Sequence, residues 1–256
     1  MSEARATPIA SLAMYPFEHL RDSYDALWAS VRSRLGPDRP ERLDRTTELR
    51  AAWREQSLLV GQTCGWPLIT QLHDEVTVIG AFDVNVPFAA GGRYRSVIIA
   101  DKPISIDDWR RSAATVVAVN GPDSLSGWIS MRVAWSGEPP TMVTTGSHAE
   151  SMRAVASGRA NLASIDALSF EFLVATDPML GGRVHIVGHG PLVPCLPLVM
   201  ANRLAHRRDE VRAAFAAAVD EPALAPACEA LRIGGFVPFD LADYETLAAL
   251  APRPAR

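Results

Sequence analysis

TMVTTGSHAESMRAVASGRANLASIDA, residues 141–167, holds a β-branched run, a Gly-Ser-His turn, an amphipathic segment and a second apolar run ending on an aspartate. It reads as strand, helix, strand. Ser147 stands three residues before Glu150, the spacing of a capping box, and predicts a helix beginning at His148. Asp166 precedes ALSFEFL and is placed to cap a second helix. A helix that returns the chain to a strand beside the first is the unit of an α/β fold, so mainly parallel strands separated by helices are expected. Capping accounts for Ser147 but not for a histidine in the first turn, where free N–H groups and the positive end of the helix dipole favour an anion over another cation. The missing anion is expected to be a ligand.

Outward from this stretch the same alternation continues. IASLAMY reads as the first strand, and Tyr24, Leu27, Trp28, Val31 and Leu35 fall at helical spacing before the stop at Gly36. SLLVGQ, EVTVIGAF, YRSVIIA, TVVAVNG, RVHIVGHG and VPCLPLVMA are further strands, with helices over SIDDWRRSAA and SLSGWISMRVAW. Past Ala201, RRDEVRAAFAAAV, PALAPACEAL and DLADYETLAAL predict helices with no comparable strand between them, a helical cap at the C-terminus.

Composition narrows the partners. The 256 residues, 48% hydrophobic and 21% charged, suffice for one large domain or two lobes. A net charge of −4 without a basic run argues against a nucleic-acid backbone or an anionic membrane as partner, and no stretch has the length of a membrane span. Three widely spaced cysteines, Cys64, Cys195 and Cys228, give neither a disulfide framework nor zinc spacing, so no metal and no cofactor are expected. MSEARATPIASLAMYPF has no apolar core of leader length, which places the sequence as written in the cytoplasm, or in the periplasm if a leader was removed.

Open α/β sheets bind ligands at the loops beyond their strand ends. Three such loops share a chemistry. After TVVAV comes Asn120-Gly-Pro-Asp-Ser124-Leu-Ser126-Gly127, after TMV comes Thr144-Thr145-Gly146-Ser147-His148, and after NLASI comes Asp166. Small hydroxyls and helix-start amides can converge there on one oxygen-rich group, with positive potential from helix ends rather than lysines. Ser124, Ser126 and Asp166 are equally well placed as turn or N-cap residues. Tyr15 and Tyr94 fit the core as readily as a ligand wall, although both fall near strand edges where loops gather.

Taken together, NGPDSLSGW, TGSHAESMRAVASGRANLASIDA and GPLVPCLPLV, with CGWPL early and GGFVPFDLADYETL late, resemble the phosphonate-binding (PhnD-like) family of ABC-transporter substrate-binding proteins. The resemblance implies a type 2 periplasmic-binding-protein fold, an α/β fold of two lobes with a ligand cleft and two hinge strands. Residues 1–92 would form lobe 1, with 193–256 returning to it. Residues 93–192 would form an inserted lobe 2, and helices within 202–256 would pack on lobe 1. It further implies non-catalytic capture of a small oxyanion such as a phosphonate or phosphate ester by hinge closure. Its oxygens would meet Ser124, Ser126, Thr145, Ser147 and His148, with Asp166 as the carboxylate at the strand end and Tyr15 as the aromatic of the first loop; Asn120 of the serine-rich turn and Tyr94 are further ligand-binding candidates. The partner would be an ABC-transporter permease or a sensor protein. The alternative is a cytoplasmic enzyme on the same fold, similar to those of menaquinone biosynthesis, with His148 and Asp166 as an acid–base pair.

Overall fold

The computed structural model describes residues 8–251, which fall into two compact units. One comprises the chain up to Asn85, Ala90–Gly92 and Pro194–Thr246; the other comprises Val86–Ala89, Arg93–Val193 and the residues from Leu247 on.

The first unit carries a five-stranded sheet in the order β1 (Ile9–Ser11), β2 (Leu58–Gln62), β11 (Pro197–Ala201), β3 (Val76–Val84), β12 (Ile233–Val237). β1 and β2 are parallel, whereas β11 runs antiparallel to both β2 and β3. Leu58, Leu59, Val60, Leu198, Val199 and Met200 are fully buried, as a strand covered on both faces requires. The helix Arg21–Ser33 turns Leu27, Trp28 and Val31 inward, at the spacing read from the sequence, and packs on the helix Arg208–Val219. Each such large apolar side chain contributes about 1.5–3 kcal/mol by leaving water.

The strand β12 corrects the expectation of an all-helical C-terminal region. It pairs antiparallel with β3, with a register shift between Ile233 and Gly235. The adjacent Gly234 and Gly235 depress strand propensity and hide it in the sequence. Gly80 makes the pairing close: its φ is +153°, and a Cβ there would lie 2.5 Å from the Val237 carbonyl oxygen.

The second unit has the order β7 (Thr141–Thr144), β6 (Val116–Val119), β8 (Leu162–Ile165), β5 (Val97–Ala100), β9 (His185–His189). β6 is parallel to β7 and β8, while β5 is antiparallel to β8 and β9. Both sheets are therefore mixed rather than mainly parallel. β11 is laid into the first sheet against its neighbours, and β5 runs against its neighbours in the second. Two short strands, β4 (Arg93–Tyr94) and β10 (Val193–Pro194), form a sheet of their own. In the second unit Ile98, Val117, Val119 and Leu162 pack with Trp109, Met131 and Trp135, which fixes the helices after β5 and β6 against the sheet.

β7 and β8 lie on opposite sides of β6, so the loops following these three strands share the carboxyl edge of the sheet where the strand order reverses.

Candidate functional site

Each of the three loops opens a helix, and each helix is capped in the same way. After β6, Ser124 accepts the Gly127 amide at 2.9 Å, at the head of a π-helical turn, Leu125–Ile129, that continues into Ser130–Trp135. After β7, Ser147 accepts the Glu150 amide at 3.1 Å and the helix His148–Ala156 follows, beginning where the sequence placed it. After β8, Asp166 Oδ1 accepts the Ser169 amide at 2.9 Å and opens Ala167–Thr176. The fourth amide of each start goes to the cap residue's carbonyl, at 3.0 Å for Trp128 and Ser151 and 2.8 Å for Phe170. A helix start has four amides without intrahelical partners. The first two remain at each start: Leu125 and Ser126, His148 and Ala149, Ala167 and Leu168. Among the described residues none of these six amides bonds to a backbone carbonyl.

The reciprocal half of the expected capping box is absent at Ser147, because the Glu150 carboxylate turns to Arg153, 2.5 Å away. An ion pair one helical turn along competes for the side chain that the cap would have used.

Side chains tie two of the starts together. His148 Nε2 is 2.9 Å from Ser126 Oγ and 3.4 Å from Asn120 Nδ2. Its Nδ1 and the Asn120 Oδ1 are enclosed without a hydrogen-bond partner. Burial of the ring lowers the His148 pKa below the ordinary imidazole value, although the Asp166 carboxylate and the Ser164 backbone pull the other way. The free protein therefore holds His148 neutral near pH 7, and an Nε2 lone pair can accept the Ser126 hydroxyl proton.

Asn120, Ser126 and His148 thus form one polar cluster, with Ser124 buried beside it as the cap. Thr145 braces the turn: its hydroxyl reaches the Val119 and Ser147 carbonyls, both at 3.2 Å, and Ser151 Oγ at 2.6 Å. Asp166 is buried and acts on His148 through its charge. Tyr94 is buried in β4, and Tyr15 is buried in the first unit, in the wall of a cavity.

Three supporting residues escaped the sequence reading. Ser164 donates to the Ser126 carbonyl at 2.5 Å, and Ser151 holds Thr145; both are buried, and their only signal is a hydroxyl on an otherwise apolar face. Gly127 is the third. A Cβ on it would sit 1.8 Å from Asn120 Oδ1, so only glycine lets the Asn120 amide lie against the turn. Among the described residues no group of three or more His, Cys, Asp or Glu could hold a metal, and no helix is long and apolar enough to cross a membrane.

The fold has known counterparts. A binding-protein component of an ABC phosphonate transporter from Pseudomonas aeruginosa superposes with a TM-score of 0.77 at 16% identity, over 96% of this chain and 86% of that one. PhnD1 of Prochlorococcus marinus, in complex with methylphosphonate, gives 0.74 at 13% identity over 95% and 96%. A Xanthomonas citri protein bound to chloride gives 0.68 at 12% identity over 96% of each chain. No curated protein matches the sequence. The model of one family, described as the periplasmic substrate-binding protein of phosphonate ABC transporters, matches residues 9–244. That is a family of binding proteins rather than enzymes, so the acid–base reading of His148 and Asp166 is set aside. With the two-unit α/β fold and the matched residues in agreement, the chain belongs to the family of periplasmic substrate-binding proteins of phosphonate ABC transporters.

Proposed function

We propose that this substrate-binding protein captures a small oxyanion, a phosphonate or phosphate ester, at the carboxyl edge of β6, β7 and β8. The observation that carries the proposal is the set of three helix starts whose caps take the third amide and leave the first two without a backbone acceptor. Neutral N–H groups at helix starts suit an oxyanion, because they supply directional donors and the positive end of the dipole without a lysine to desolvate. Ser126 can turn its hydroxyl proton from His148 Nε2, 2.9 Å away, to a ligand oxygen, and His148 donates from Nε2 once a bound anion draws it to the imidazolium form. Asn120, Ser124, Thr145, Ser147 and Asp166 hold the three turns in place. The bound ligand is then handed to an ABC-transporter permease.

Calorimetric titration with methylphosphonate, a phosphate monoester and inorganic phosphate tests the reading. Saturable one-to-one binding of at least one, lost on Ser126→Ala with His148→Ala, is the expected result. Binding of none of them, or binding untouched by the double substitution, would overturn it.

A further inference from the structure

The first unit contains a cavity of about 200 Å³ walled by Leu12, Tyr15, Phe17, Tyr24, Leu43 and Asp44. One water needs only about 15 Å³ by a comparable measure, so the space is that of a small molecule. Its wall also carries Glu18, Arg21 and Arg45, and Asp25 stands outside it. Arg21 pairs with Glu18 at 3.1 Å and Arg45 with Asp25 at 2.8 Å, so each guanidinium brings its own counter-ion. Asp44 is left over. Its Oδ1 accepts the Thr46 amide at 2.9 Å, the Thr46 hydroxyl at 2.8 Å and the Thr47 amide at 3.3 Å, while its Oδ2 is enclosed and without a hydrogen-bond partner. Burial pushes this carboxyl up, but the hydrogen bonds from Thr47 and Thr46 outweigh it and hold the group at about 2. The donors are all neutral, so a full negative charge stays beside the cavity. A divalent metal would need several more oxygens, and among the described residues no group of three or more His, Cys, Asp or Glu could hold one. The uncharged wall is aromatic and aliphatic, Tyr15, Phe17 and Tyr24 with Leu12 and Leu43, and Tyr15 and Tyr24 are only 5% and 8% exposed.

A carboxylate without a cation, set among three aromatic rings in a space too large for a bare ion, fits a positively charged organic head group. We propose that this cavity binds a small organic ammonium ion, its charge beside the Asp44 carboxylate and its alkyl groups against the rings of Tyr15, Phe17 and Tyr24. The site lies wholly within the first unit and does not rest on the oxyanion reading.

Titration of the full chain with tetramethylammonium chloride and with ethylammonium chloride, against sodium chloride at equal ionic strength, tests it. Saturable binding of at least one ammonium is expected. Asp44→Asn keeps the Oδ1 acceptor for Thr46 and Thr47 but removes the charge, and should weaken binding tenfold or more. Glu18→Gln, on a side chain 82% exposed at the rim, should change it less than about twofold. No saturable binding of either ion, or equal affinity in Asp44→Asn, would overturn the proposal. If Asp44→Asn does not fold, the parent protein decides: nuclear Overhauser contacts from the tetramethylammonium protons to the rings of Tyr15 and Tyr24 support the site, and their absence overturns it.

Discussion

Gly127 is the position where a single methyl group tests the geometry of the candidate site. A Cβ there would stand 1.8 Å from Asn120 Oδ1, 2.9 Å from Asn120 Cγ and 3.0 Å from Ser124 Oγ. Non-bonded carbon and oxygen rarely approach below about 3 Å, so the amide must move by more than an ångström, away from His148 Nε2 at 3.4 Å. Two effects of Gly127→Ala oppose each other. Alanine in a helical turn gains about 1 kcal/mol over glycine, whereas overpacking a filled site costs about 1–3 kcal/mol. The net destabilisation should be about 0–2 kcal/mol, a few degrees at most in Tm for a chain of this size. Affinity should fall further, by tenfold or more, because the displaced amide disturbs the groups that meet the ligand. Asn120→Ala removes the two closest clashing atoms, so in the double variant the stability costs should fall short of their sum by about 1–2 kcal/mol. Urea unfolding followed by circular dichroism gives the coupling, and calorimetry with methylphosphonate gives the affinities. Additivity within about 0.5 kcal/mol, together with unchanged affinity in Gly127→Ala, would refute the argument that Asn120 is held by this contact.

Other perturbations separate capping from binding. Ser124→Ala should cost about 1 kcal/mol of stability through the lost cap on Gly127, while Ser126→Ala should instead weaken anion binding about fivefold; thermal unfolding and calorimetry that showed the two effects exchanged would reverse the assigned roles. Because His148 is lowered in the folded state, the unfolded chain binds more protons below about pH 6.5, and stability should drop there as pH falls; His148→Asn should flatten that part of the unfolding profile. A bound anion favours the imidazolium, so affinity for methanesulfonate, whose charge is fixed, should rise as pH falls from the bound-state value of His148 to its lowered free value, and a parent profile as flat as that of His148→Asn would remove the ring from the ligand's surroundings. Asp44 has a folded pKa of about 2 against an ordinary 3.8, so its contribution to stability is complete above about pH 4 and is lost between pH 4 and 2; an Asp44→Asn variant with the same acid limb as the parent would contradict this.

Much of this arrangement was legible in the sequence because it is written locally. A helix start is announced by one residue and its spacing to the next, so Ser147 and Asp166 located two helices to the residue. The bend at Ser124 was equally plain, although its π-helical first turn was not, since a five-residue ring and a four-residue ring share the same apolar pattern. What failed was pairing. The direction of β11 between β2 and β3 depends on where a returning chain inserts, and β12 was masked by two glycines that sit at the register shift in its pairing with β3. Gly127 looked like a turn glycine. Its actual constraint is contact with a side chain seven positions earlier, which no local spacing records.

The same distinction explains how a capped helix start could, in the proposed reading, still take a ligand. A cap and an anion would be rivals if they sought the same amide. At Ser124, Ser147 and Asp166 the side chain takes the third amide and the cap carbonyl takes the fourth, leaving two donors without a backbone acceptor. The cap therefore fixes the direction of the donors it does not use, and repeating the device on three neighbouring parallel strands brings fixed amides to one sheet edge without a single lysine. In the proposed reading such a site would recognise an oxygen-rich anion by the number and direction of its acceptors rather than by charge alone. In that reading the buried Asp166 would sharpen the preference. Its carboxylate opposes any anion that does not offset it by engaging the donors around His148.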